Sequence, residues 1–247
     1  MTSDRPQTKD DFLVSLATTR VEYIPGGAVG VLALHAGVEG GTGEIAQEIA
    51  NRMNVSTLIF WQEAPDFRLH INSSLYDPAV CSELSDFLSR SQIAISLHGH
   101  RRPSLSRVIL VGGRNRSLAR SAAADIRRGL DDVEVIGSLR RIPRGLRGLH
   151  AANPVNCTAG GGVQLELPAI ARGLMVPDEE PREVAMDGAS DEFLIRQRVI
   201  EGLLRFVRRT RLDSGKLSIR ANGSRLIALA SSPRDLEAVY IADMLLL

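Results

Sequence analysis

Cysteine is almost absent from this chain: Cys81 and Cys157 are the only two in 247 residues, and no CxxC spacing occurs. Two such residues build neither a disulfide framework nor a cysteine-ligated zinc module, and the usage suits a reduced cytoplasm. Lysine is equally scarce, with Lys9 and Lys216 alone, so nearly all the positive charge is arginine. The 30 basic and 29 acidic residues leave a formal charge of +1, which argues against the broad electrostatic footprint of a nucleic-acid binder. Recognition of an anion must then be local. The opening residues are polar with no apolar stretch behind them, and no later run reaches the roughly 18 apolar residues of a membrane span. A soluble protein without a classical export signal is expected. Three catalytic signatures are missing as well. No Gly-x-Ser-x-Gly nucleophile elbow occurs, no Gly-Lys-Ser/Thr follows the glycines at 37, 40, 41 and 43, and no Gly-x-Gly-x-x-Gly is present, so serine hydrolases and nucleotide-binding folds lack their motifs.

What remains is a chain with 44% hydrophobic residues, enough to bury a full core, and one globular domain over 1–247 is expected. Helical spacing covers Asp11 to Thr19, and Gly26-Gly27 closes this entry segment. Val29 to Leu34 is a continuous apolar run, as in a strand covered on both faces, and it stops at His35. Thr42 is placed to cap a helix over Gly43 to Asn51. Further strands are predicted over Val55 to Phe60, Ile93 to Leu97, Val108 to Val111, Val133 to Ile136 and Val163 to Leu167, with a short one over Phe67 to Ile71. Helices are predicted from Pro78, over Asn115 to Leu130 and over Asp191 to Arg211; 139–161 and 177–190 read as loops. Strands alternating with helices point to a three-layer α/β/α sandwich around a mixed, mostly parallel sheet, whose ligands gather beyond the carboxyl ends of the strands.

His35 and His98 close two of these apolar runs, Glu39 follows in a glycine-rich loop, and Glu166 lies inside a third run. Two imidazoles and two carboxylates are the parts of a hydrolytic zinc site, which needs three protein ligands, an open position and an unligated base. Glu44 competes with Glu39 as ligand, but an early helical Glu is already explained by the helix dipole, so Glu39 is preferred. A carboxylate buried in a strand is costly without a partner, which singles out Glu166. His100 is a candidate outer-shell residue, and His70 and His150 could touch a substrate.

The same segments carry a family resemblance. His35 through Glu39 and on to Gly41-Thr42-Gly43-Glu44-Ile45-Ala46, Leu69-His70-Ile71-Asn72-Ser73, Ser96-Leu97-His98-Gly99, Asn153-Pro154-Val155-Asn156 and Gly161 through Pro168 resemble, in order, the bacterial and phage poly-γ-glutamate hydrolases. The resemblance implies a zinc-carboxypeptidase-like fold, zinc on His35, Glu39 and His98, and Glu166 as general base. The loop from His35 to Glu39 is a residue shorter than the family's usual His-Gly-Gly-x-Ile-Glu, and Gly40 stands in place of its usual Pro.

On this reading the substrate is an acidic peptide or polymer cut by activated water, with Glu166 moving the proton. Each γ-glutamyl unit has a free α-carboxylate, so arginine forks are expected to bind it, and Arg114, Arg141, Arg144, Arg147 and Arg172 are available. Asn156 either orients substrate or caps a turn. Two other readings stay open. One is an amidase of N-acyl amino acids or cell-wall γ-glutamyl peptides; the other is a non-catalytic domain with a degenerate metal site that binds acidic polymer or a protein.

Overall fold

A computed structural model describes residues 6–62, 69–175 and 190–221, with side chains up to 211. Along the chain run α1 (Lys9–Leu16), β1 (Thr19–Ile24), β2 (Val29–Ala36), α2 (Thr42–Arg52), β3 (Ser56–Gln62), α3 (Ser82–Arg90), β4 (Ile93–Gly99), β5 (Val108–Val111), α4 (Arg116–Arg127), β6 (Glu134–Ile136), β7 (Gly162–Leu167) and α5 (Asp191–Ala221). By packing, the chain forms two units, Met1–Val207 and Arg208–Leu247. All features discussed below lie in the first.

The seven strands form one sheet in the order β1-β3-β2-β4-β7-β5-β6. β3, β2, β4 and β7 pair in parallel, whereas β1 is antiparallel to β3 and β5 is antiparallel to β7. The mostly parallel sheet expected from the β–α alternation is therefore present, with reversed strands toward both edges. β1 was not predicted. Its residues are half-buried, the mark of an edge strand, and it lacks the continuous apolar run that reveals central parallel strands.

Alternate residues of the central strands feed two separate cores. Val31, Ala33, Ile95, Leu97, Val163 and Leu165 join Ile45 and Ile49 of α2, Ala122 and Ile126 of α4, and Val199 and Leu203 of α5 on one face. Leu32, Leu34, Leu58 and Phe60 join Phe12 of α1 and Leu84 and Phe87 of α3 on the other. Helices on both faces make the three-layer sandwich. On the second face the apolar cover is interrupted. Ser96 and His98 of β4 and Gln164 and Glu166 of β7 form a polar strip there, all at most 4% exposed, with Ser96 beside Gln164 and His98 beside Glu166 in the strand register.

Several boundaries differ from expectation. Thr42 is the first residue of α2 and Gly41 its cap. Residues 78–80 form a turn and α3 begins at Ser82, because Pro78 opens the turn that leads into the helix and is not its first residue. Residues 69–71 are irregular, and the remainder of the strand expected over Phe67 to Ile71 lies outside the described residues. So does most of the loop over 177–190.

Candidate metal centre

His35 reaches the polar strip through a defect in its strand. By simple alternation an odd-numbered residue of β2 points, like Ala33, toward the helices α2, α4 and α5. The pairing of β2 with β3 shifts between Ala33 and Ala36, and this bulge places Leu34 and His35 on the same face, with Ala36 back in the first core. Such bulges re-aim side chains next to sites. His35 thus meets His98, with Nδ1 to Nδ1 at 3.1 Å. A tight turn follows, in which Glu39 N donates to His35 O at 2.8 Å. Gly37 makes it possible: its φ is +93°, and a Cβ there would lie 2.4 Å from Gln62 O.

The turn brings Glu39 back onto both histidines. Glu39 Oε1 is 3.2 Å from His35 Nδ1, and Oε2 is 3.5 Å from His98 Nδ1. A tetrahedral zinc at about 2.0–2.1 Å from each ligand requires ligand atoms about 3.3 Å apart. The separations from His35 Nδ1, 3.1 Å to His98 Nδ1 and 3.2 Å to Glu39 Oε1, fit that figure, and the second carboxylate oxygen faces His98 Nδ1 at 3.5 Å. The far nitrogens agree. His35 Nε2 donates to the Ile71 carbonyl at 2.7 Å, which can only accept, so the proton sits there and Nδ1 presents a bare lone pair. His98 Nε2 is held by Ser96 Oγ at 2.9 Å. An outer partner on the non-coordinating nitrogen is the usual way a metal-binding imidazole is oriented. The donor set therefore fits a divalent cation.

Without a cation the three groups share charge. Burial pushes His35 below its ordinary pKa despite Glu39. Burial would do the same at His98, but the carboxylate of Glu39 reverses it and raises His98. Burial alone would raise Glu39; His35 and His98 outweigh it and hold the carboxyl well below the usual range. Glu166 behaves differently, because burial dominates and lifts it to about 7.

His70 also reaches the cluster. Its Nε2 is 2.9 Å from Glu39 Oε1, its side chain is 56% exposed, and its ring stacks on His35 at 4.1 Å between centroids. His35, Glu39 and His70 could by themselves hold a metal ion, since their ligand atoms all lie within 4.8 Å of one another. Glu44, by contrast, is exposed on α2. A cleft of about 350 Å³ opens over the cluster, and His35, Glu39, His70, His98 and Glu166 all line it.

The expected substrate residues separate. Arg172 is a correction: at 2% exposure its guanidinium donates to the carbonyls of Glu39 (2.7 Å), Gly40 (2.5 Å), Leu167 (3.2 Å) and His100 (3.5 Å). It clamps the Glu39 loop to the ends of β4 and β7 and has no fork left for a substrate. Replacing it with methionine strips donors from buried carbonyls, each such loss costing about 1–3 kcal/mol. Arg172→Met should lower the unfolding free energy by about 3 kcal/mol or more, read as a shift in the urea midpoint; an unchanged midpoint would show that the clamp is dispensable. Asn156 is a second correction, since Oδ1 accepts from Arg114 N at 3.0 Å and Nδ2 donates to Gly148 O and His150 O. It pins the loop through these bonds, and the residue that caps the adjoining turn is Asn153. Arg141 is exposed and paired with Glu134 at 2.7 Å, away from the cleft lining. Arg114 and Arg144 are exposed, and Arg144 directly precedes Gly145 and Leu146 of the cleft wall.

Ser96 and Gln164 escaped the sequence reading. Each stands two residues before a site residue, in Ser96-Leu97-His98 and Gln164-Leu165-Glu166. That repeated polar-Leu-polar pattern inside an apolar run was the available signal, because residues two apart share a strand face.

Comparison with known proteins adds the following. A family profile described as poly-gamma-glutamate hydrolase matches residues 16–192. The SPbeta prophage-derived protein YoqZ of Bacillus subtilis (strain 168) is 31% identical over 139 residues, covering 56% of this chain and 47% of that protein; the match thus spans about half of the relative's length. Among solved structures, a bacteriophage poly-gamma-glutamate hydrolase superposes with a TM-score of 0.62 at 22% identity, covering 78% of this chain and 90% of the other. A structure described as apo, zinc-free YndL gives 0.58 at 21% identity, covering 79% and 92%. At these identities the two structures establish the shared fold.

Proposed function

Because the chain belongs to the poly-γ-glutamate hydrolase family, we propose that it is a zinc-dependent hydrolase of γ-glutamyl amide bonds, with His35, Glu39 and His98 as the metal ligands and Glu166 as the general base. The observation that supports this most is the convergence of His35 Nδ1, His98 Nδ1 and the two oxygens of the Glu39 carboxylate, at separations of 3.1–3.5 Å, in a cleft that Glu166 also lines. The neighbour described as zinc-free is in keeping with zinc. When bound, zinc supplies Lewis-acid polarisation of the scissile carbonyl and acidifies water.

The protein's own groups account for the other steps. Glu166 lies beside His98 on the adjoining strand, so a water in the cleft is within its reach. It takes the proton as water adds to the amide carbon, and returns it to the departing nitrogen as the C–N bond breaks. Its burial suits the task, since a carboxylate poised near neutrality both accepts and releases a proton. His35 keeps its lone pair on the metal side because the Ile71 carbonyl takes the proton of its far nitrogen, and Ser96 Oγ orients the His98 ring through Nε2. Arg144, at the rim, is the fork that meets the α-carboxylates of the polymer.

The test is direct. The full chain loaded with zinc should cleave γ-linked polyglutamate and not the α-linked polymer, lose activity to a chelator, and regain it on adding zinc. A protein that binds zinc stoichiometrically but leaves the γ-linked polymer intact would overturn the substrate assignment, and activity on N-acyl amino acids or cell-wall peptides would redirect it. Turnover unaffected by complete metal removal would overturn the metal mechanism.

A further inference from the structure

We propose that Asn153 and Gln164 form an amide relay that positions Glu166, with Gln164 touching the carboxylate and Asn153 acting through Gln164; the catalytic part of this inference rests on the reading of Glu166 as base. The relay begins at a backbone group. Asn153 caps the 3-10 turn Pro154–Asn156, its Oδ1 accepting from Val155 N at 3.3 Å. With its oxygen committed to an N–H, the Asn153 amide can only turn its nitrogen outward, and Nδ2 donates to Gln164 Oε1 at 2.8 Å. That in turn fixes the Gln164 amide, whose Nε2 donates to Glu166 Oε1 at 2.8 Å.

The order matters because a side-chain amide is nearly symmetric in shape and opposite in polarity at its two ends. Flipped, Gln164 would set its oxygen against the Glu166 oxygen, acceptor against acceptor. A buried network resists such a flip because an unpaired polar group is costly in a low-dielectric setting, and Asn153, Gln164 and Glu166 are each only 4% exposed. Packing closes the remaining side. Gly148, with φ +62°, lies so near Gln164 that a Cβ there would be 2.5 Å from its Oε1. The relay ties down one of the two Glu166 oxygens, and with it the plane of the carboxylate that faces the cleft.

Three variants of the full, zinc-loaded chain test this. Asn153→Asp keeps the capping oxygen but sets a second acceptor against Gln164 Oε1, so it should fold normally and lower kcat about tenfold or more, with KM and zinc content unchanged. Gln164→Met should lower kcat about ten- to a hundredfold, the usual effect of removing an outer-shell partner. In the Gln164→Met background, Asn153→Asp should have no further effect. Wild-type kcat in Asn153→Asp, a change in KM alone, or independent, multiplying losses in the double variant would overturn the relay. A readout free of turnover separates this from failure of the proposed function. The Gln164 side-chain amide protons should exchange slowly with solvent in the wild type, and quickly in Asn153→Asp. Equal protection in both proteins would sink the relay whatever the activity.

Discussion

Glu166→Gln is expected to bind zinc with unchanged stoichiometry while kcat falls by about 10²- to 10⁴-fold, the range over which a positioned acid–base group contributes. Glutamine has the shape of glutamate, and its oxygen can still accept from Gln164 Nε2, so the strip between β4 and β7 keeps its packing. What disappears is the capacity to take a proton from water and deliver it to the leaving amine. The proposed ligands, His35, Glu39 and His98, do not include this side chain, so metal analysis should return the same zinc content as the wild type. Retained turnover would remove Glu166 from the base role, and loss of metal together with turnover would make it a ligand.

The second large effect separates two triads that share His35 and Glu39. One is completed by His98, which is 3% exposed and fixed through Ser96. The other is completed by His70, 56% exposed in its side chain. A ring already locked by burial and by an outer hydrogen bond loses little freedom on binding a cation, whereas an exposed ring must be ordered first. His98→Ala should therefore weaken zinc binding by well over a hundredfold, more than the loss of an outer-shell partner, measured by competition with a chromogenic chelator. His70→Ala should keep zinc affinity within about tenfold. The reverse pattern would place the cation among His35, Glu39 and His70. Thermal unfolding gives a parallel reading: saturating zinc at about 1,000 times its dissociation constant stabilises the folded state by about 4 kcal/mol, so at the same zinc concentration the rise in Tm should shrink to a small fraction in His98→Ala and persist in His70→Ala.

Much of the frame was legible because central strands buried on both faces read as uninterrupted apolar runs. The runs at β2, β4 and β7 showed themselves in this way, and Glu166 stood out as a charge inside one of them. The amphipathic helices α2, α4 and α5 were legible for the same reason, through their periodic apolar faces. β1 was not, since a half-buried edge strand carries too little apolar surface to set it apart from a loop. Arg172 misled for a related reason: an arginine looks the same in sequence whether its fork meets a substrate or four backbone carbonyls, and only burial tells them apart.

By itself the sequence determined which residue types stand at the ends of the apolar runs, and hence that imidazole and carboxylate chemistry would gather along one edge of a mostly parallel sheet. Only the tertiary structure decided that they share one face. Alternation along β2 directs His35 to the wrong side of the sheet; the bulge between Ala33 and Ala36 turns it back, the left-handed Gly37 folds Glu39 onto it, and Arg172, from a segment more than 130 residues later, holds that loop in place. Bulges and buried clamps arise from pairing and packing between distant segments, and a local pattern carries no trace of them.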